Sequence, residues 1–347
     1  MKDFNNMFRP RDWDSVKGQN HITNILKSQV INKKGLSNAY LFSGKSGVGK
    51  TTVARLFFMS LNCEKLDKYG NPCFKCLSCK NFKYDLIEIN ASNNRGIEDI
   101  RTLSKEIYYK SPVSKFKGIL LDECHLLTSP AWNCLLKPLE DSPDNFVWLL
   151  CTTEINKVIK TIQTRCQTFK FTPIRWTDIF ERVKEVAKAL KIDIDEKTIW
   201  AIARNSNTNL REPLHLLEKY VNSDNVSEIL SDEINIDFLD SIAKNDLTSI
   251  WKSLMSWRSK YSDIDTFISF LKYDVMTCLQ MKMGLPLVDI APYRQKTYQS
   301  IAGEIKEEVL LLYFEELLNI EEKLGGVFDY NSLFFNMLCK IKNKNSI

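Results

Sequence analysis

Between residues 39 and 171, short unbroken apolar runs alternate with stretches whose apolar positions recur at helical spacing. The runs Ala39-Tyr-Leu-Phe-Ser43, Asp85-Leu-Ile-Glu-Ile89, Gly118-Ile-Leu-Leu-Asp122, Phe146-Val-Trp-Leu-Leu-Cys-Thr152 and Thr168-Phe-Lys-Phe171 have the length and continuity of buried parallel strands. Helical periodicity fills residues 52–61, about 97–109 behind Gly96, and about 129–140. The last of these opens on Ser129-Pro130, where serine can cap and proline suits the first turn. Pro138 falls inside it, and the missing N–H is expected to kink the helix. Alternation of this kind predicts a parallel sheet with helices on both faces, its ligand at the carboxyl ends of the strands.

Past Pro173 the strands stop. Helical patterns cover Asp178 to Leu190, Asp195 to Arg204 and Asn209 to Tyr220, and from about 226 to the end the chain is helical and rich in Leu, Ile, Phe and Trp. The expected division is an α/β domain over 1–172, a small helical domain over 173–225 and an all-helical domain over 226–347. No internal repeat or low-complexity tract interrupts it.

The turn after the first strand reads Gly44-Lys45-Ser46-Gly47-Val48-Gly49-Lys50-Thr51, followed by Thr52 in the next helix. Strand, glycine-rich loop, Lys-Thr and helix in this order form a phosphate-binding loop. Its glycines turn backbone N–H groups toward a phosphate chain. Lys50 can reach the β- and γ-phosphates, and the Thr51 hydroxyl can hold Mg²⁺. Gly118-Ile-Leu-Leu-Asp-Glu-Cys-His125 adds two acids at a strand end. There Asp122 can hold Mg²⁺ or its waters, and Glu123 can orient and deprotonate an attacking water.

Apolar content of 44% and charged content of 26% are those of an ordinary globular chain, and 347 residues allow two or three cores. No stretch approaches the ~18 apolar residues of a membrane span, and the N-terminus lacks a signal-peptide core, so a cytoplasmic protein without membrane contact is expected. The formal charge of +5 permits a nucleic-acid partner without requiring one. Of ten cysteines, Cys124, Cys134, Cys151, Cys166, Cys278 and Cys339 stand singly among apolar residues and read as small core residues. Cys63, Cys73, Cys76 and Cys79 instead cluster across turn residues within 62–80, a spacing that lets four thiolates close around one tetrahedral ion. Structural zinc is the first reading, and an iron–sulfur cluster is its chemical rival.

In order along the chain, Phe8-Arg-Pro-Arg-Asp-Trp-Asp-Ser-Val-Lys-Gly-Gln19, the phosphate loop, the four cysteines, Ile89-Asn-Ala-Ser-Asn-Asn-Arg-Gly96, Asp122-Glu-Cys-His125, Leu135-Leu-Lys-Pro-Leu-Glu140, Cys151-Thr-Thr-Glu154, Thr164-Arg-Cys166 and Leu210-Arg211 match one family. Over about residues 8 to 220 the chain resembles the bacterial-type DNA polymerase III tau/gamma clamp-loader ATPases of the AAA+ class. The resemblance implies an AAA+ core with a zinc module, a helical lid and a helical collar used for oligomerisation. It implies an ATPase, with ATP, Mg²⁺ and Zn²⁺ as cofactors, that opens a sliding clamp and closes it on primed DNA. The partners so implied are other clamp-loader subunits, in a ring or spiral of five.

Residue roles follow from the same resemblance. Arg9 and Val16 would line the adenine pocket, Thr153 would sense the γ-phosphate, and Arg211 would reach the nucleotide from the lid. Arg165 would be an arginine finger for the neighbouring subunit's ATP, with Thr164 standing where the family usually has serine. Arg95, Lys157 and Lys160 are candidate contacts to DNA phosphates. The alternatives within reach of the same motifs are a helicase loader, a branch-migration motor or a non-hydrolysing regulatory subunit.

Overall fold

In the computed structural model, residues 3–109, 111, 113–206, 208–222, 232–244, 246–260, 264–287, 289–323 and 330–344 are described. Among them, five strands form one all-parallel sheet: β1 (Ala39–Ser43), β2 (Leu86–Asn90), β3 (Lys117–Asp122), β4 (Phe146–Thr152) and β5 (Gln167–Lys170), in the order β2-β3-β4-β1-β5. The strands match the expected runs to within a residue at each end.

Position in the sheet explains how each strand reads. The interior strands β1 and β4 are buried at every residue, so their sequences are unbroken apolar runs. The expectation of full burial fails for β2 and β5, which lie at the two edges and alternate between covered and exposed positions. Glu88 of β2 is only part-exposed and pairs with Arg55 of the helix Lys50–Asn62. On one face Leu41, Leu121, Trp148 and Leu150 pack with Ile100, Leu103, Trp132 and Leu135 of the helices Ile97–Glu106 and Ser129–Glu140. The alternate residues Tyr40 and Phe42 meet Phe57 and Phe169, with ring centroids 4.8 Å apart for Tyr40–Phe57 and 5.8 Å for Phe42–Phe169.

Gly118 marks a close approach of helix to sheet. A Cβ there would lie 2.7 Å from Phe58 Cε2 and 2.9 Å from the Val147 carbonyl oxygen. Gly118→Ala is therefore expected to destabilise the protein by about 1–3 kcal/mol through overpacking. A lowered urea midpoint with an unchanged denaturant slope would register this.

Three local expectations change. The helix Ser129–Glu140 is capped by Thr128, whose hydroxyl accepts the Ala131 N–H, and not by Ser129, which already lies in the first turn. Pro138 does not end that helix: it sits in the last turn, and its carbonyl accepts a hydrogen bond from the Ser142 hydroxyl, which in turn accepts from Trp148 Nε1 at 2.8 Å. Cys339 is exposed and is no core residue, whereas Cys124, Cys151 and Cys278 are fully buried and Cys134 and Cys166 half-buried. Burial pushes the Cys166 thiol up to about 12 and the Cys124 and Cys151 thiols well above the usual range, as expected of inert packing residues.

The chain divides into two compact units, one of Met1–Ile179 with Thr208–Leu214 and one of Phe180–Asn207 with His215–Ile347. The first holds the sheet. The second is helical, and its core joins Phe238, Phe267, Leu271, Tyr298, Leu310, Leu317 and Phe334. Inside it, Arg204 at the end of the helix Glu196–Arg204 pairs at 2.9 Å with Asp274 of the helix Ile264–Lys282, and both are almost wholly buried. The expected boundary near 225 lies outside the described residues, and the helices expected to form a separate small domain are shared between the two units.

Candidate nucleotide-binding and hydrolytic site

The loop 44–51 leaves the carboxyl end of β1, between β4 and β5, and its last glycine caps the helix Lys50–Asn62. Gly49 has φ 102° and Gly47 φ 77°, backbone that an L side chain adopts only under strain. At Gly47 a side chain would also strike Asn209, since a Cβ would lie 2.7 Å from its Oδ1. No side chain caps the helix, so its first N–H groups face the loop and are available to an anion. Val48 is buried beneath the loop, while Lys45 and Ser46 are exposed on it.

Lys50 is buried, and its ammonium donates to the carbonyls of Gly44 and Lys45, both at 2.8 Å. Burial lowers its pKa, opposed by the charges of Glu123 and Asp122 and reinforced by that of Arg211. The same cation that shapes the loop is thus surrounded by the acids and by the arginine expected at the nucleotide.

The acids converge from β3 as the motif requires. Thr51 Oγ1 donates to Asp122 Oδ2 at 3.0 Å, so the two expected Mg²⁺ ligands are already adjacent. Asp122 Oδ1 accepts the Glu123 N–H at 3.0 Å, and Glu123 itself adopts φ 51°, a left-handed conformation unusual for glutamate. Such strain at a strand end is a mark of a functional turn. It aims the Glu123 carboxylate at the end of β4, where Thr153 Oγ1 donates to Glu123 Oε2 at 3.2 Å.

The segment before the sheet and the one after it close around the loop. The Gln19 side chain donates to the Thr172 carbonyl at 2.8 Å and accepts the Thr172 N–H at 3.2 Å. Ile174 N–H donates to the Thr208 carbonyl, and Leu210 N–H to the Gly47 carbonyl, both at 3.0 Å. Asn209, expected as the first residue of a helix, caps it instead: its Oδ1 accepts the N–H groups of Arg211 and Glu212 at 3.0 Å each. The Asn-x-x-Glu spacing is the sequence signal for that cap. Val16 is buried in the N-terminal segment, while Arg9 reaches back to Asn6 Oδ1 at 3.2 Å and is not drawn to the loop.

The remaining candidates are at the surface. Arg165 is folded onto Glu140: its Nε donates to Glu140 Oε1 at 2.6 Å and its NH1 to the Thr161 carbonyl at 2.8 Å. Arg95 and Lys160 are exposed, and Lys157 pairs at 2.9 Å with Glu154, whose carboxyl it holds below the usual range. Three further residues join the site without having been expected there. Glu140 and Glu154 carry no signal beyond their place inside matching segments, and His125, whose side chain is 8% exposed, lies between Glu123 and Glu154.

The four cysteines come together. The sulfurs of Cys63, Cys73, Cys76 and Cys79 lie within 4.8 Å of one another, close to the ~3.8 Å separation set by a tetrahedral ion at ~2.3 Å from each sulfur. Backbone N–H groups aim at the sulfurs: Cys73 donates to Cys63 Sγ at 3.2 Å, Cys76 to Cys73 Sγ at 3.3 Å and Cys79 to Cys76 Sγ at 3.5 Å. The N–H groups of Lys75 and Cys76 hold the Cys73 thiol down at about 6, which favours the thiolate, while burial pushes Cys63 and Cys79 up. A donor set of this kind fits one thiophilic ion, and ligands of separate irons in a cluster would stand farther apart. The N-terminal segment braces the module, with Trp13 Nε1 donating to the Gly70 carbonyl and Trp13 N–H to Asn71 Oδ1, both at 2.9 Å. No described helix is long and apolar enough to cross a membrane.

Comparison with known proteins bears on the whole chain. The family described as DNA polymerase III, delta subunit, matches residues 18–175. The DNA polymerase III subunit tau of Bacillus subtilis is 36% identical over 219 residues, 62% of this chain and 38% of that protein. The subunit gamma/tau of Mycoplasma genitalium is 39% identical over 223 residues, 63% and 37% of the two chains. This chain thus spans well under half of either of those proteins. The subunit gamma of Buchnera aphidicola from Acyrthosiphon pisum is 31% identical over 339 residues, covering 91% of this chain and 92% of that one. Among solved structures, the Holliday junction branch migration motor RuvB of Thermotoga maritima superposes with TM-score 0.50 at 15% identity over 90% of each chain, a likeness of fold alone. With near full-length similarity to a gamma subunit added to the converging loop, acids and cysteines, the chain belongs to the bacterial-type DNA polymerase III tau/gamma family of clamp-loader subunits.

Proposed function

We propose that this chain is an ATP-hydrolysing subunit of a sliding-clamp loader, using ATP to open a ring clamp and leave it on primer–template DNA. The observation that carries the reading is the convergence beside one phosphate loop of Thr51 on Asp122 and of Thr153 on Glu123. A subunit that only bound nucleotide would need the loop, but not a carboxylate held next to a hydroxyl at the γ-phosphate end.

The roles divide as follows. The loop N–H groups and Lys50 bind the phosphates, Lys50 exchanging its two carbonyl partners for phosphate oxygens. Thr51 and Asp122 would hold Mg²⁺, which supplies charge neutralisation across the phosphates. Glu123 accepts the proton of the attacking water, and Thr153 fixes the direction of its carboxylate. Arg211, already close enough to depress the Lys50 pKa, adds positive charge on the nucleotide. Arg165 acts in trans, leaving Glu140 to reach the phosphoryl group of the neighbouring subunit. Arg9 and Val16 belong to the segment proposed at the adenine. Arg95, Lys157 and Lys160 track the DNA backbone without reading sequence.

The cysteine module holds zinc as a structural staple, its four thiolates leaving no open position for catalysis. Cys79→Ser is expected to yield protein without bound zinc by elemental analysis and with a lower melting temperature, because metal binding contributes to folding of a segment that has little core of its own.

The deciding measurement is steady-state ATPase activity with and without primed DNA and a clamp, in the assembly with partner subunits. Stimulation by clamp plus primed DNA supports the proposal, and no stimulation sinks it. Nucleotide binding without any hydrolysis would favour a regulatory subunit.

A further inference from the structure

We propose that His125 is a positioning residue that couples the surface lysine Lys157 to the Glu123 carboxylate, so that a phosphate captured by Lys157 is registered at the hydrolytic site. The inference rests on the clamp-loader reading above, with Glu123 as the group that activates water. An unbroken path of side chains carries it. Glu123 Oε2 accepts the Thr153 hydroxyl at 3.2 Å and lies 3.4 Å from His125 Nδ1. The other ring nitrogen, Nε2, is 3.4 Å from Glu154 Oε1, and that same oxygen accepts the Lys157 ammonium at 2.9 Å.

Burial makes the path directional. The imidazole is almost covered, 8% exposed, whereas Lys157 is 58% exposed and stands where a polyanion can reach it. The backbone holds the members in place independently of any ligand. Glu123 is fixed in its left-handed turn, His125 in the short turn Cys124–Leu126 after β3, and Lys157 in the turn Ile155–Lys157 after β4. Thr152 joins the two turns, its hydroxyl 3.3 Å from His125 Nδ1 and accepting the Glu154 N–H at 3.0 Å.

A neutral imidazole has one N–H and can donate to one carboxylate at a time. While Lys157 neutralises Glu154, the Nδ1 side of the ring remains with Glu123 and holds that carboxylate against the protein. When Lys157 turns to a nucleic-acid phosphate, Glu154 loses its counter-charge and becomes the stronger acceptor. The N–H then resides on Nε2, with no net gain or loss of a proton, and Glu123 is released toward the water it must activate. The expected ligand is the phosphodiester backbone of DNA, engaged without sequence preference.

The test is ATPase activity of the assembled loader over a titration of primed DNA, comparing wild type with His125→Asn, Glu154→Gln, Lys157→Ala and Lys157→Arg. His125→Asn keeps a donor near the Nδ1 position but cannot reach Glu154, and Glu154→Gln keeps the shape without the charge. In both, stimulation of kcat by DNA is expected to fall about tenfold, or ~1.4 kcal/mol of transition-state stabilisation. The KM for ATP and the DNA concentration at half-maximal effect should stay unchanged in the same two variants. Lys157→Ala should lose stimulation and Lys157→Arg retain it, because guanidinium pairs with both carboxylate and phosphate. That exposed pair reads the coupling even if the buried ring tolerates no substitution. Wild-type stimulation in Glu154→Gln and Lys157→Ala would overturn the coupling while leaving the clamp-loader reading intact. A wild-type protein indifferent to DNA would overturn both.

Discussion

Glu123→Gln is expected to lower kcat for ATP hydrolysis by about 10²–10⁴-fold, the usual contribution of a positioned general base. Glutamine is isosteric and its carbonyl can still accept the Thr153 hydroxyl, so the left-handed turn at Glu123 and its contact to β4 should survive. What is lost is the capacity to take a proton from water. Binding of ATP should persist, because the phosphates are held by the loop N–H groups and Lys50, none of which depends on Glu123 for a hydrogen bond. The check is a pair of measurements on one preparation: affinity for a fluorescent ATP analogue and single-turnover hydrolysis in the assembly. Equal loss of both would mean that Glu123 shapes the pocket and does not perform the chemistry.

Arg165→Ala should cost about 10³–10⁵-fold in assembly-dependent hydrolysis if the guanidinium completes a neighbour's site. The loss should come without unfolding, because Arg165 is exposed and its ion pair with Glu140 is of the surface kind that adds little stability. ATP binding to the variant's own loop should be unaffected. A mixing experiment isolates the action in trans. Arg165→Ala subunits retain Glu123, and Glu123→Gln subunits retain Arg165, so a mixture contains interfaces at which both intact halves meet. Partial recovery of activity on mixing two inactive preparations is the expected result. Recovery that never rises above the sum of the separate preparations would place Arg165 outside the catalytic machinery.

Much of the core is legible in the amino-acid pattern, and the reason lies in the interior strands. Ala39–Ser43 and Phe146–Thr152 are covered on both faces, so their apolar runs are unbroken and unmistakable. Edge strands are harder to read as such. Glu88 inside Leu86–Asn90 reads as a blemish in a buried strand, and it is the partner of Arg55 at a half-open edge. The caps are legible in type but not in position: Thr128 takes the role expected of Ser129, and Asn209 stands outside the helix it was expected to begin. Both displacements are of one or two residues, and each follows from neighbouring hydroxyl or amide side chains that compete for the same N–H groups.

The sequence by itself determined the local chemistry: a loop whose glycines and lysine can only cradle phosphate, two acids at a strand end, and four thiols spaced to close on one ion. These are short-range patterns, set by backbone conformations that few residues permit. Tertiary structure alone decided which distant groups share a site. Thr153 reaches Glu123 across 30 positions, Asn209 abuts Gly47, and His125 stands between two carboxylates from different strand ends. Those meetings depend on strand order, because β3, β4 and β1 are adjacent in the sheet although their sequences are not. No periodicity in the chain encodes that adjacency, and the hydrolytic site exists only where the sheet creates it.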